Sequence, residues 1–440
     1  MRGWICAAVL AAFCASPGWA GVVETSPRPE LRPDSEASSL QLAGAASLRP
    51  TVRPLVVRTS AEVNSMPENQ RFQNWVRGFR VRARAAGIDD RTLDRAFADI
   101  RYDPDVIKRD RNQSEFTKTI WQYLDSAASD TRIANGQAAL VEYEHVLNQI
   151  ERHYGVEKEV VLAVWGLESA YGTYRGKNDV IRSLATLAFD GRRGTFFEGQ
   201  LIAALKILSD GDVEPRSMTG SWAGAMGHTQ FIPTSYLEYA VDFTGDGKRD
   251  IWSDDPTDAL ASTAAYLAKF GWSKGQPWGV EVTLPRGFDY TLINRSIKKS
   301  SRDWGRLGVK GLNGRNVPDH GLASILLPAG GQGAAFMIFK NFSVIERYNA
   351  ADAYVIGVGH LSDRIAGKPP IQADWPREDR ALTLTERKEV QRQLTRRGFD
   401  TQGVDGRIGP NTVAAVRAFQ MAYGLLPDGY PSVHLLNKLR

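Results

Sequence analysis

From about residue 68 the chain places apolar side chains at helical spacing. Phe72, Trp75, Phe79 and Val81 open the pattern, and residues 91–100, 117–127 and 136–154 continue it. Residues 156–171 predict a further helix on which Val161, Val164 and Glu168 share one stripe, with Trp165 at its flank and Gly172 as its stop. A carboxylate on an apolar stripe breaks the local pattern, and such breaks mark functional sites. A structural pairing of Glu168 with a buried Arg is the alternative. Helices are also expected at 196–208 and at 257–270, where Leu260, Thr263, Ala264 and Leu267 hold core spacing. Residues 276–341 change character: 280–284 alternates, 322–327 is mostly apolar, 335–339 reads as a buried strand, and Gly and Pro punctuate them. This predicts a small β-rich insertion, after which helical spacing returns at 350–365. A charged linker with Pro369, Pro370 and Pro376 follows over 367–380. Residues 381–440 then predict three short helices. The first opens near Thr385, carries Val390 and Leu394, and stops at Gly398; the second carries Val413, Val416, Phe419 and Tyr423 and stops at Gly424; the third holds Leu435, Leu436 and Leu439. The fold class expected is therefore mainly α.

The first twenty residues have a different logic. Arg2, an apolar run from Ile5 to Phe13, and the small-x-small end Gly18-Trp19-Ala20 form a secretory signal, too short to span a bilayer comfortably. A retained anchor helix is the alternative. Cys6 and Cys14, the two cysteines of the chain, fall in this segment, so the mature chain is expected to hold neither thiol nor disulfide. Lipid attachment at Cys14 is a secondary option, disfavoured by the bulky Phe13 before it. Residues 21–67, with Pro27, Pro29, Pro33, Pro50 and Pro54 among polar residues, lack an apolar period and read as a disordered tether. Periplasmic localisation is expected, with no membrane span after signal removal.

Composition narrows the class rather than choosing it. The 440 residues hold 55 Lys+Arg against 50 Asp+Glu, a formal net charge of +5. That is mildly attractive to an anionic surface and too weak to argue for nucleic acid. At 42% hydrophobic and 24% charged the chain is neither collagen-like, nor a disulfide scaffold, nor a multi-span membrane protein.

Two loops carry candidate chemistry. Residues 220–233 (GSWAGAMGHTQFIP) are dense in glycine, which lets backbone approach a ligand, and Ser221, Met226, Gln230 and Phe231 make the loop a candidate binding wall. From Asp242 the spacing resembles a calcium loop. Asp242, Thr244, Asp246 and Asp250 stand at positions 1, 3, 5 and 9, Gly247 at 6, and Lys248 at the position that offers a backbone carbonyl. Position 12 departs, being Ser253, with acids only at Asp254 and Asp255; a solvated acidic turn is the alternative, and Asp258 reads as a cap for the following helix. The six histidines show no zinc spacing, and His228 alone sits in a candidate site loop. A nucleophile elbow and a phosphate loop are both missing from the sequence.

Four segments taken together resemble the lytic murein transglycosylase B family, whose members cleave the glycan strands of bacterial peptidoglycan. They are Glu168-Ser169-x-Tyr171-Gly172, Gly224-x-Met226-Gly227-x-x-Gln230-Phe231-x-Pro233, the loop Asp242 to Trp252, and Arg347-Tyr348-Asn349. The resemblance covers about residues 70–366. It implies a lysozyme-like helical core with a helical subdomain and a small β subdomain. It also implies Glu168 as the catalytic acid, Ser221 and Gln230 as saccharide contacts, and Tyr266, Tyr348, Asn349 and Tyr354 as groove-lining residues; beside it, Met226 of the loop is a further candidate substrate contact, and Ser169, with Gln230, is expected to hold the acid or the acetamido groups by hydrogen bonds. Tyr123 is a further groove aromatic or a core Tyr. No cofactor is required for catalysis, and a structural Ca2+ or Na+ is the implied occupant of the Asp242 loop. Tyr171 is read as structural.

Residues 381–440 are similar to the small three-helix peptidoglycan-binding domain, on Gln391, Gly398-Phe399, Asp405-Gly406, Gly409, Thr412, Phe419-Gln420 and Asp428-Gly429. A tethered binding domain raises local substrate concentration without changing the chemistry. The implied partner is the peptidoglycan glycan strand, with other cell-wall enzymes as secondary candidates. The implied reaction is cleavage of the MurNAc–GlcNAc bond with a 1,6-anhydro end as product, Glu168 serving as sole acid and base. A muramidase that uses water, and a non-catalytic wall-binding protein, are the competing readings.

Overall fold

The computed structural model describes residues 66–112 and 118–440. The signal-type segment, both cysteines and all but the last two residues of the 21–67 segment lie outside the described residues.

The chain begins with short helices: α1 (Glu68–Ala85), α2 (Asp90–Phe97), α3 (Pro104–Arg111) and α4 (Ile120–Ala127). Each of the last three is opened by a side chain that accepts a backbone N–H of the first turn: Asp89, Asp103 and Thr119. The single helix expected over 136–154 is two, α5 (Asp130–Glu142) and α6 (Glu144–Tyr154). Tyr143 breaks it at φ −102°, ψ 18°, without a Gly or Pro to announce the break. Its ring packs edge-on against Trp165, centroids 5.6 Å apart, so tertiary packing has overridden local preference.

Next comes α7 (Lys158–Ser169), against which α14 (Asp352–Ile365), α5 and α11 (Thr257–Lys269) pack. The sequence predicted one buried stripe here. Instead every residue from Val160 to Ser169 is buried, so α7 is a central helix, hydrophobic all round. The helices α8 (Val180–Asp190), α9 (Gly194–Asp210) and α10 (Pro233–Tyr239) complete the body around one large apolar cluster. Two short strands, β1 (Asn178–Asp179) and β2 (Thr219–Gly220), pair antiparallel and fasten the glycine-rich loop to the segment after α7.

The β-rich insertion is a four-stranded antiparallel sheet. It contains β3 (Gly279–Thr283), β4 (Lys310–Gly311), β5 (Ser324–Leu326) and β7 (Ala335–Ile338) in the order β4-β3-β7-β5, with Val280 opposite Met337. β6 (Pro328–Gly331) stands outside this sheet, and α12 (Ser301–Arg306) buries Trp304 in the insertion's own core. β7 runs almost directly into α13 (Lys340–Tyr348), a helix that the residue pattern did not show.

The C-terminal residues form α15 (Leu384–Arg396), α16 (Pro410–Ala422) and α17 (Val433–Leu439) around a third cluster that includes Val390, Leu394, Val416, Phe419 and Leu436. The 367–380 segment is fastened along the body. Glu281 accepts hydrogen bonds from the backbone N–H groups of Gln372 (2.9 Å) and Ala373 (2.7 Å). Trp375 packs against the main core, its ring 6.4 Å from that of Trp121, and Arg377 pairs with both carboxylate oxygens of Asp125. The C-terminal helices also touch the insertion: Asp428 accepts from the Gly331 N–H (2.9 Å), and Arg417 donates to the Ile293 carbonyl (3.1 Å).

Candidate functional site

Glu168 stands in the last turn of α7. The helix ends abruptly, with Ala170 (φ 48°), Tyr171 (φ 57°) and Gly172 (φ 82°) in the left-handed region. Two of the three are not glycine, a backbone cost of roughly 1–2 kcal/mol per residue. Local bonds hold the turn. The Tyr171 hydroxyl donates to the Arg132 carbonyl (2.8 Å), Gly172 N–H donates to Ser169 Oγ (2.9 Å), and Tyr174 N–H donates to the Ser169 carbonyl (2.9 Å). Tyr171 is thus structural, as its sequence context indicates.

The Glu168 side chain is only 8% exposed. Its partner is not an arginine but the phenol of Tyr354 on α14, which donates to Oε1 at 2.6 Å. Burial pushes the carboxyl up to about 7, while the Tyr354 bond pulls the other way by favouring the ionised form. An acid with this value keeps about half of its population protonated at neutral pH, against a very small fraction for an ordinary carboxyl, and can deliver its proton to a bound oxygen.

Aromatic side chains lead away from the acid. Tyr354 lies parallel to Tyr348 (centroids 6.4 Å, 12° between planes), and Tyr348 meets both Tyr266 (5.1 Å) and Phe231 (5.8 Å). The hydroxyls of this row are tied to backbone: Tyr348 to the Thr229 carbonyl (2.5 Å) and Tyr266 to the Arg347 carbonyl (2.6 Å). Tyr348 is half-buried, and the charge on Glu168 adds to burial in raising its hydroxyl well above the usual range. Asn349 ends α13, its Oδ1 accepting from Ala351 N–H (3.1 Å). Tyr123 is half-buried on α4, which packs on α14, and its field reaches Tyr354.

The glycine-rich loop folds back on itself through backbone bridges from Met226 to Gly220 and to Phe231. Gly227, at φ 69°, passes so close to the Ile251 carbonyl that a Cβ there would overlap it. Ser221 is half-buried; its Oγ accepts from Ala225 N–H (3.0 Å) and, at 3.3 Å, from Ala223 N–H. Gln230, at φ 55°, is half-buried and donates from Nε2 to the carbonyls of Arg175 (3.0 Å) and Gly227 (2.8 Å). Two expected contacts are placed elsewhere. Met226 is fully buried and belongs to the core. Ser169 is buried and donates to the His228 carbonyl (2.5 Å), so it fastens the loop to the helix end rather than facing a ligand or holding the acid.

In the acidic loop, oxygens of Asp242, Asp246 and Asp258 lie within 4.8 Å of one another. Asp258 does not cap its helix: it reaches back to accept from the N–H groups of Phe243, Thr244 and Asp250. Asp250, which the spacing proposed as a ligand, turns the other way and accepts from Trp252 and Ser253 N–H. Thr244 donates to Asp242 (3.3 Å), and Lys248 N–H donates to Asp246 (2.9 Å). Burial raises the Asp258 carboxyl, with a further push from the neighbouring Asp242. Three crowded carboxylates, without an ion pair to a Lys or Arg among the described residues, are the donor set that a hard cation such as Ca2+ or Na+ satisfies.

Residues that spacing could not reveal also meet here. Arg175 binds Asp254 (2.7 Å) and the Trp252 carbonyl (2.9 Å), joining the segment after α7 to the acidic loop. His228 is buried against Trp165.

Comparison with known proteins bears on the arrangement. Residues 71–363 match the family model of the transglycosylase SLT domain, and residues 383–439 match that of a peptidoglycan binding domain. The membrane-bound lytic murein transglycosylase B of Escherichia coli K12 is 34% identical over 253 residues, covering 56% of this chain and 67% of that protein. Among solved structures, SltB3 of Pseudomonas aeruginosa in complex with NAG-anhNAM-pentapeptide is 51% identical, covers 84% of this chain and 99% of its own, and superposes with a TM-score of 0.82. The Escherichia coli lytic transglycosylase Slt35 in complex with calcium is 30% identical, covers 68% of this chain and 93% of its own, and has a TM-score of 0.56. The mainly helical body is therefore the lysozyme-like lytic transglycosylase fold. The chain belongs to the lytic murein transglycosylase B family, enzymes that act on peptidoglycan, and carries a C-terminal peptidoglycan binding domain.

Proposed function

We propose that the chain cleaves the MurNAc–GlcNAc β-1,4 bond by intramolecular transglycosylation, with Glu168 as the sole acid and base. The protonated carboxyl gives its proton to the glycosidic oxygen as the bond from that oxygen to C1 of MurNAc breaks. The carboxylate then takes the proton of the MurNAc C6 hydroxyl while O6 bonds to C1, closing the 1,6-anhydro ring. No water enters, and Glu168 returns to its starting state. The observation that carries this reading is the buried, Tyr354-bonded carboxyl held near 7. The anhydro-sugar ligand bound to SltB3 supports the product class. Tyr348, Tyr354, Tyr266, Asn349 and Tyr123 would flank the sugar, with Ser221 and Gln230 on the opposite loop.

Residues 68–366 would act as the catalytic unit and 381–440 as the wall-binding unit, in the periplasm of the producing cell after removal of the 1–20 signal. The Asp242, Asp246 and Asp258 carboxylates would hold a structural cation that supplies charge neutralisation and crosslinks the loop to α11, with no part in the proton transfers.

Mass spectrometry of sacculi digested by the enzyme tests this. Products ending in 1,6-anhydromuramic acid are expected, and Glu168→Gln should abolish release while sacculi still sediment the protein. Reducing ends would replace the proposal with a muramidase. Release by Glu168→Gln would remove Glu168 from its role.

A further inference from the structure

We infer that His228 is a positioning residue, which sets the placement of the acid-bearing end of α7 against the glycine-rich loop; the inference rests on the reading of Glu168 as the proton donor. His228 is 3% exposed, and its polar groups are spent on two separate parts of the chain, the end of α7 and residues 251–253. Its backbone N–H donates to the Ile251 carbonyl (3.1 Å). Its carbonyl accepts from the Ser169 hydroxyl (2.5 Å), Nδ1 lies 3.1 Å from Trp165 Nε1, and Nε2 lies 2.7 Å from the Ser253 carbonyl oxygen.

These partners fix the ring's state. An indole N–H can only donate and a carbonyl oxygen can only accept. Nδ1 must therefore be the bare nitrogen that accepts from Trp165, and Nε2 must carry the hydrogen that goes to Ser253. Nothing but this neutral tautomer satisfies both contacts. The Arg175 guanidinium, 3.2 Å from Nε2 and itself bound to the Ser253 carbonyl, adds a positive neighbour that opposes a second proton on the ring.

The consequence lies in where Trp165 and Ser169 stand. One is a helical turn before Glu168 and the other is the residue after it, so His228 grips the acid from both sides along the chain. The ring also occupies the place where Gly172 lacks a side chain: a Cβ there would lie 2.7 Å from the imidazole. Two residues beyond His228 comes Gln230, one of the proposed sugar contacts. The same residue therefore ties the helix end that carries the acid to the loop that carries a proposed sugar contact. Small displacements between the two cost rate out of proportion to binding.

The test uses the full chain and soluble, uncrosslinked glycan strands, with kcat and KM measured beside thermal unfolding. His228→Phe keeps the ring and deletes both side-chain bonds. We expect kcat to fall about 30-fold or more, with KM within about twofold of the parent. His228→Asn, which returns an acceptor near the Nδ1 position, should recover most of the loss, whereas His228→Gln, which restores only the bond to Ser253, should not. If His228→Phe does not fold, Trp165→Phe removes the same donor from the other side and should reproduce the kcat loss. An unchanged kcat in a folded His228→Phe or Trp165→Phe protein overturns the inference, as does equal rescue by Asn and Gln. Glu168→Gln run in parallel separates the two readings. If it stays active, the acid assignment fails; if it is inactive while His228→Phe is normal, the positioning role alone fails.

Discussion

Replacing Tyr354 by Phe removes one oxygen and leaves the ring that packs on Tyr348. In the parent this hydroxyl donates to Glu168 Oε1 at 2.6 Å and favours the carboxylate over the acid, opposing the upward push of burial. A hydrogen bond to a charged group contributes about 1.5–3 kcal/mol. At about 1.36 kcal/mol per pKa unit, its removal raises the carboxyl by roughly one to two units beyond about 7. Because the reaction starts from the protonated acid, activity falls as pH rises through this value. The alkaline limb of kcat/KM in Tyr354→Phe should therefore move to higher pH, although the maximum rate drops as the acid loses its anchor. Release of soluble muropeptides from sacculi, measured between pH 5 and about 9.5, gives both limbs. A limb that stays in place, or moves to lower pH, would refute the assignment of Tyr354 as the donor that favours the carboxylate.

Three further outcomes follow from the same geometry. The Glu168 carboxyl sits at about 7 in the folded chain against an ordinary 4.5, so the native state holds the proton more tightly, and its contribution is full below 4.5 and lost as pH rises through about 7. Glu168→Gln should thus gain stability over the parent as pH rises across that window, reaching up to about 3 kcal/mol in denaturant titrations; a difference independent of pH would contradict the buried acid. Met226→Ala should lower stability by about 2–5 kcal/mol, as for other fully buried Met side chains, and leave KM unchanged once the folded fraction is corrected for; a raised KM with unchanged stability would put Met226 at the ligand. Millimolar Ca2+ should raise Tm, and Asp258→Asn should remove most of that response while Asp250→Asn keeps it, because Asp258 rather than Asp250 faces Asp242 and Asp246.

Much of this site was legible along the chain. Glu168 on an otherwise apolar helix was a local contradiction, and the four ordered motifs pointed to the family. The strands β3, β5 and β7 followed from alternation, apolar runs and Gly and Pro, while β4 and β6 did not; the last three helices followed from their apolar spacing and stops, although α15 is capped by Thr383 rather than opened at Thr385. What could not be read was set by contacts distant in sequence. Met226 and Ser169 carry motif letters, yet both point inward, one filling the core and the other clasping the His228 carbonyl. Spacing chose Asp250 as a ligand and a helix cap for Asp258, whereas the folded loop brings Asp258 rather than Asp250 beside Asp242 and Asp246, because Asp258 comes from the next element to reach three backbone N–H groups. The break at Tyr143 has no sequence signal, since it answers to Trp165. His228 matched no template, because its role depends on four partners spread from position 165 to position 253.

The fastened 367–380 segment changes what a deletion would mean. A wall-binding unit on a loose leash can be trimmed off, and the remainder compared directly with the whole. Here a chain stopped before residue 367 would strip Glu281 of two N–H donors and Asp125 of its arginine, and would uncover Trp121 where Trp375 now rests. Gly331 and Ile293 would lose the partners that Asp428 and Arg417 provide. Lost sacculus affinity in such a shortened protein would report damage to the scaffold together with the missing module, so surface substitutions on α15 to α17 are the cleaner instrument for weighing what the module alone contributes.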